Sequence, residues 1–370
     1  MNCAWLLKAG FVVCLLMFVS QGQNVRAQDD SSHDEQPHDD SSHDDSSHDE
    51  QSHDDHSHDD QWVVYGPGPD ANDKRIVLIA GDDEYRSEEC MPMLGQILSQ
   101  HHGFECTVLF PVNPQSGEIQ PDFQKNIPGI ESVADADLVI MGLRFRDLPD
   151  SDMEVIDEYL KAGKPVMGLR TTTHAFRMGQ DSSFKHYSFN SKEWPGGFGQ
   201  QVLGDTWVNH HGHHKSESTR GIVNQEHADH VVLKGIDDVW GDTDVYGINK
   251  LPDEAQVLLH GQVLAGMSPD DAPVEGKKND PMMPIAWFKD YQLPQGEKGL
   301  AFCTTMGSST DFASADLRRL VVNASYFMLG MEDKIKADTM VDFVTEYKPT
   351  MFGFKSYTQG VKPSDFKIEK

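Results

Sequence analysis

The sequence is poor in cysteine, in positive charge and in long apolar runs. Five cysteines in 370 residues are too few for a scaffold built on disulfides. Only Cys90, Cys106 and Cys303 lie beyond residue 27, so at most one bridge is available to the body. Cys106 and Cys303 sit in apolar, strand-like runs, which favours buried thiols. Lys and Arg number 31 against 60 Asp and Glu, for a formal net charge of −29. A chain so acidic does not neutralise phosphates, which excludes nucleic acid as a partner. The apolar run at residues 10–19 is too short to span a bilayer comfortably. No other stretch approaches that length, so the mature chain is expected to lack a transmembrane helix.

What is present begins with an export signal. Lys8 precedes that apolar run, and Val25 and Ala27 follow it as the small residues of a cleavage site. This pattern predicts a secretory signal peptide over 1–27 and an exported, periplasmic or extracellular, protein. An uncleaved anchor is the alternative. Cys14 lies inside the run rather than after it, which argues against a lipoprotein. Residues 28–61 follow as a low-complexity tract. His33, His38, His43, His48 and His53 recur every five residues, then His56 and His58, among Asp, Glu, Ser and Gln. The tract holds 14 of the 60 acidic residues, so the formal charge falls from −29 to −15 without it. With almost nothing apolar to bury it is expected to be disordered. It reads as a charged spacer or as a set of weak sites for transition metals.

Residues 62–335 suffice for one large α/β domain, with an extension over 336–370. Arg75 to Ala80 is a continuous apolar run ending in Gly81-Asp82-Asp83, the mark of a strand buried on both faces. Ser87 to His101 has helical spacing, with Ser87 as cap and Gly103 as stop. Strands are predicted at 104–110, 137–142 and 164–169, and a helix at 150–162 with Gly163 as its stop. Further strands are expected at 255–261, 283–288 and 299–304, and a closing helix at 315–329. Strands alternating with helices imply a mostly parallel sheet covered on both faces, the flavodoxin-like arrangement.

Ligands of such sheets bind beyond the carboxyl ends of the strands. Four polar segments qualify: Asp82, Asp83, Glu84 and Tyr85; Arg144, Arg146 and Asp147; Arg170 to His174; and Asn209 to His214. Any one of these residues has an ordinary alternative. Asp82 and Glu84 can cap a helix, and Arg144 and Arg146 can pair with them. His210, His211, His213 and His214 suit a divalent transition metal such as zinc. Four histidines within five residues cannot all face one ion, however, and a pair at i and i+3 or i+4 is the workable subset. One of them acting as a general base, or as a sugar contact, is the competing reading.

Lys164-Pro-Val-Met-Gly-Leu-Arg-Thr-Thr-Thr-His-Ala-Phe176 resembles the strand-turn of the ThuA-like (trehalose-utilisation) family, a branch of the class I glutamine amidotransferase-like fold. Pro284 to Trp287, Gly299 to Gly307, the helix from Leu317 to Tyr326, and Asp244-Val-Tyr246 resemble further parts of that family. The tail from Tyr347 to Phe354 resembles exported members from planctomycete-type bacteria. The related amidotransferases use a Cys on this turn, activated by a His. Here the turn reads Gly168-Leu169-Arg170-Thr171, which removes glutamine hydrolysis by that route. Gly307-Ser308 stands where many members carry Gly-His.

The resemblance implies carbohydrate-linked metabolism and a small-molecule, carbohydrate partner. The first expectation is an enzyme acting on a sugar or oxidised sugar. His174, His213 or His214, and Asp244 or Asp82 would supply acid–base chemistry, with a metal optional. Thr171 or Thr172 would be the only substitute nucleophile. Asp83, Glu84, Arg144, Arg170, Thr171, Thr172, Tyr246, Ser308 and Thr310 would line the pocket, with Trp194, Trp207 and Trp240 as ring platforms. A non-catalytic carbohydrate-binding module and a metal-handling protein built on the His–Asp tract are the alternatives.

Overall fold

The structure, a computed structural model, describes residues 60–368. The signal peptide and the tract up to residue 59 lie outside the described residues. Ten strands form one sheet. In chain order they are β1 (Trp62–Tyr65), β2 (Arg75–Gly81), β3 (Glu105–Leu109), β4 (Leu138–Leu143), β5 (Val166–Leu169), β6 (Ser218–Val223), β7 (Val239–Gly241), β8 (Gln256–Leu264), β9 (Met283–Gln292) and β10 (Lys298–Thr304). The helices are α1 (Ser87–His102), α2 (Asp150–Lys161) and α3 (Ala315–Met328).

The spatial order is β1-β3-β2-β4-β5-β10-β9-β8-β6-β7. The stretch β3-β2-β4-β5-β10 is parallel throughout, as the strand–helix alternation predicts. From β10 outward the pairs β10–β9, β9–β8, β8–β6 and β6–β7 are antiparallel. That half has no crossover helices to enforce parallel pairing. The strands β1, β6 and β7 are additions to the sequence reading. They are short or only half-buried, so their apolar signal is weak.

Successive residues of the central strands point to opposite faces. Ile76, Leu78 and Ala80 of β2 join a core with α1 and α3. Val77 and Ile79 join a second core with α2. Met153, Ile156, Tyr159 and Leu160 form the buried stripe of α2. Each fully buried side chain of this kind contributes roughly 1.5–3 kcal/mol. Gly103 ends α1 at φ 71°, donating its N–H to the Leu98 and Ser99 carbonyls, and Gly163 turns the chain after α2 at φ 69°.

Ser87 is not the cap of α1. Arg86 holds the N-cap position in the left-handed region, at φ 61°. The Ser87 hydroxyl instead accepts the N–H groups of Gly81 and Asp82, each at 2.9 Å, and ties the helix to the end of β2. Cys90, Cys106 and Cys303 are free and buried. Burial pushes all three thiols well up from their ordinary value. The extension packs back on the body, Tyr347 donating to the Ser309 carbonyl and Ser309 to that of Thr350.

Candidate functional site

Neighbouring strands β2, β4, β5 and β10 end on one edge and deliver four loops there. The turn after β5 is the anchor. Arg170 opens a short 3-10 turn, Arg170–His174, with φ 43°, an unfavourable backbone for a residue with a side chain. The strained turn thus carries an arginine where the family resemblance leads one to look for a cysteine. Its guanidinium is buried between Tyr85 and Tyr246, 4.5 and 3.8 Å from the ring centroids. It donates to the carbonyls of Asp244 and Thr305, to Tyr85 Oη at 3.2 Å, and to Asp244 Oδ1 at 3.1 Å.

Asp244 is the centre of the site. His210 Nδ1 lies 2.7 Å from its Oδ2 and His214 Nδ1 lies 3.2 Å from its Oδ1. Burial alone would raise this carboxyl. The imidazole hydrogen bonds and the Arg170 charge outweigh it and hold Asp244 well below the usual carboxylate range. His214 turns its other nitrogen, Nε2, toward Glu84 Oε1 at 3.4 Å. Ligand atoms of His210, His214 and Asp244 all fall within 4.8 Å of one another.

The histidine segment attaches to the 244–246 stretch rather than to a core strand. His210 and Tyr246 form an antiparallel bridge, and His211 and Gly212 donate their N–H groups to the Val245 carbonyl. Gly212 permits the approach, since a β-carbon there would stand 3.0 Å from Asp244 Cβ. A turn over residues 213–217 then brings His214 back beside His210, with ring centroids 4.9 Å apart. The four-histidine set therefore resolves into the i, i+4 pair. His211 is turned away, its Nε2 on the Lys278 carbonyl at 2.9 Å, and His213 is exposed.

The other predicted residues divide into those that hold the edge together and those that face its opening. Asp82 is buried. Its Oδ1 accepts the N–H groups of Glu84 and Tyr85, and its Oδ2 accepts the Thr171 hydroxyl at 2.5 Å. Thr172 Oγ1 lies 2.7 Å from the carbonyls of Met141 and Leu169. Both threonine hydroxyls are locked in the interior, which removes them as nucleophiles. Ser308 and Thr310 hydrogen-bond to each other, and Thr310 donates to Asp242. The neighbouring Asp311 carboxylate gathers Thr243, Gly307 and Ser308. These groups shape the edge and are not part of the Asp244 cluster.

Arg144 is sandwiched between Phe145 and Phe354 and donates to Asp83 Oδ1 at 2.8 Å, with Glu84 Oε2 3.8 Å away. Burial raises the Glu84 carboxyl, with Asp82 adding to the effect against Arg144 and His214. His174 is buried against Phe145, Trp207 and Tyr246. Burial, then the charges of Arg144 and Arg170, push it well below the ordinary imidazole value, so it is neutral and an acceptor at physiological pH. Of the expected ring platforms, Trp207 is at the site, 5.8 Å from the His210 ring. Trp240 bonds to Ser218 on β6 and Trp194 packs on Tyr187, both elsewhere.

The extension contributes a wall that the sequence reading did not place at the site. Phe352 packs 5.2 Å from Tyr85 and 5.4 Å from His214, and the Gly353 N–H bonds to the Glu84 carbonyl at 2.7 Å. The aromatic-rich stretch from Tyr347 to Phe354 is the only sequence signal for it.

No protein-family model matches the chain, and no curated protein matches it. Among solved structures, the chain is similar to a protein described as ThuA-like from Parabacteroides merdae, with TM-score 0.45 and 14% identity over 80% of this chain and 100% of that one. It is also similar to one so described from Bacteroides uniformis, with TM-score 0.43 and 14% identity over 71% and 93%. The glutaminase domain of Trypanosoma brucei CTPS, solved with bound acivicin, gives TM-score 0.33 and 12% identity over 75% and 98%.

Proposed function

We propose that this is an exported ThuA-like protein that binds a divalent transition metal at His210, His214 and Asp244 and acts there on a sugar or oxidised sugar. The observation that carries the reading is the convergence of those three side chains at one open strand edge. Zinc ligands at 2.0–2.1 Å in tetrahedral geometry stand about 3.3 Å apart. The 3.2 Å between His214 Nδ1 and Asp244 Oδ1 fits that spacing, and the 2.7 Å of the His210 contact has to open slightly. With Nδ1 committed to the ion, His214 Nε2–H faces Glu84, and Arg170 holds Asp244 from behind. Outer partners of this kind orient metal ligands.

A divalent ion here supplies Lewis acidity toward a carbonyl or hydroxyl. The chain's own residues do the rest. Glu84, whose carboxyl burial raises and which faces His214, is the group that accepts a proton, since buried His174 is pushed well below the ordinary imidazole value and is too weak a base, and half-buried Trp207 offers an apolar face to a sugar ring. Arg170 in place of the nucleophile, and three deeply buried thiols, support chemistry other than covalent amide transfer.

The test is metal content of the full chain after equilibration in metal-free buffer, compared with Asp244→Asn and His214→Ala. The His-rich tract is common to all three and cancels. The expected difference is one equivalent per chain; no difference overturns the metal reading. Screening sugars for turnover and for binding then separates an enzyme from a binding module.

A further inference from the structure

We infer that a cleft between α2, the 184–194 segment and the β9–β10 turn binds an organic cation, a ligand carrying an ammonium group. The inference is independent of the metal reading. The cleft holds about 560 Å³. It lies away from the polar strand edge, because the turn at 293–297 leads into the first residue of β10, whereas the edge begins past its last. Its walls are aromatic. Half-buried Phe184, His186 and Trp194 line it. The His186 ring stacks on Phe184 at 6.2 Å and stands 5.8 Å from Trp194. Buried Tyr187 packs on Trp194 at 5.1 Å and donates its hydroxyl to Asp157 Oδ1 at 2.7 Å.

Charge decides what these walls accept. Four carboxylates line the cleft, those of Glu154, Asp157, Glu158 and Glu193, against one lysine. That lysine, Lys161, is spent on Asp157 Oδ2 at 2.7 Å. Glu154 and Glu158 are i and i+4 neighbours on α2, a like-charge spacing that costs a helix stability. The carbonyl end of α2 adds negative potential beside them. A cation in the cleft relieves both. A bare metal ion is not the match. Among the described residues, only His210, His214 and Asp244 gather three ligand atoms closely enough to hold one. A larger cation with an apolar body sets its charge against the ring faces and its rim against the glutamates.

Gln295 adds an observation of a different kind. The turn Leu293–Gly296 closes with the Gly296 N–H on the Leu293 carbonyl at 3.0 Å, and Pro294 and Gln295 are its central residues. Gln295 stands at φ 64°. With proline before it this is a type II turn, whose second central position suits glycine. A glutamine there strains the backbone, and this same residue puts an amide on the lining of the cleft. Strain of this kind clusters at binding sites.

The test is calorimetric titration of the full chain with choline and with 3,3-dimethylbutan-1-ol, which has the same shape without the charge. Choline is expected to bind about tenfold or more tighter than the alcohol, and more weakly as salt rises. Nα-acetyl-trimethyllysine amide carries the same group on a peptide unit. The tighter of the two cations names the source, a free amine or a protein side chain. Trp194→Leu is expected to lower the affinity about tenfold, and the double variant Glu154→Gln, Glu158→Gln about threefold. Gln295→Gly is expected to weaken binding about threefold while holding or raising the denaturation midpoint, a combination that a residue serving only the turn does not give. Equal binding of the neutral alcohol overturns the inference. So does no binding of either cation at millimolar concentration, or parent-like affinity in the double variant. Both glutamates are exposed, so that variant carries the test if Trp194→Leu fails to fold.

Discussion

Asp82 and Asp244 are two buried carboxylates on one strand edge, and they are used in opposite ways. Asp82 is closed off by its own loop, taking two backbone N–H groups and the Thr171 hydroxyl. Burial, opposed by those three hydrogen bonds, still raises its carboxyl above the ordinary value. Asp244 is served by one buried arginine and two partly exposed imidazoles, and these hold it well below the ordinary value. A buried polar group satisfied by the fold itself is scaffold. One satisfied by groups that are still open to solvent can exchange a proton or an ion. The same distinction separates Thr171 and Thr172, locked in the interior, from His210 and His214, which remain partly exposed.

The sharpest way to break the contrast is to remove Arg170. Arg170→Ala leaves Asp244 without its fully buried cation and is expected to cost about 3–5 kcal/mol in chemical denaturation. A loss below about 1 kcal/mol would show that the histidines alone hold the carboxylate. Next in size is Asp82→Ala, which orphans the Glu84 and Tyr85 N–H groups, at about 2–3 kcal/mol. Asp82→Asn keeps an acceptor for those groups and is expected to cost about 1 kcal/mol or less while leaving metal content intact. Loss of metal from Asp82→Asn would put Asp82 in the site after all.

The two carboxylates also differ in sign along the pH axis. The fold favours ionised Asp244. Its stabilisation is complete above the unfolded carboxyl value of about 3.9 and is lost as pH falls through its lower folded value. The fold favours neutral Asp82. That contribution is present below the same unfolded value and is lost as pH rises through its raised folded value. Denaturation midpoints measured from pH 3 to 7 are therefore expected to rise more steeply with pH in Asp82→Asn than in the parent, and less steeply in Asp244→Asn. Equal slopes would mean that neither shift is linked to folding. The smallest effect is expected at exposed His213. His213→Ala should stay within about 0.5 kcal/mol of the parent and keep its metal, against full metal loss in His214→Ala.

Much of the fold was legible because it is local. The apolar run from Ile76 to Ala80 and the 3.6-residue spacing in α1, α2 and α3 name their own elements, and Gly103 and Gly163 mark their ends. Arg170 in place of a cysteine was equally visible, and with it the exclusion of the amidotransferase route. The sequence reading also singled out the 209–214 segment and a pair at i and i+3 or i+4 within it. It had no means of choosing His210 and His214 over His211 and His213, because a turn at residues 213–217 makes that choice. Nor could spacing reveal that Asp244, 34 residues from His210, is the carboxylate that joins them.

What composition and periodicity determined here is an acidic chain with an α/β body and a polar strand edge. Tertiary structure alone decided which polar residues are tied up inside the fold and which gather around Asp244. It set the antiparallel half of the sheet, laid 244–246 beside 210–212, and returned the tail so that Gly353 meets Arg86 across 267 residues. The physical reason is range. Periodicity records which face of an element is buried, whereas a site is made by contacts between distant segments, and those depend on strand order and close packing that no single stretch of sequence contains.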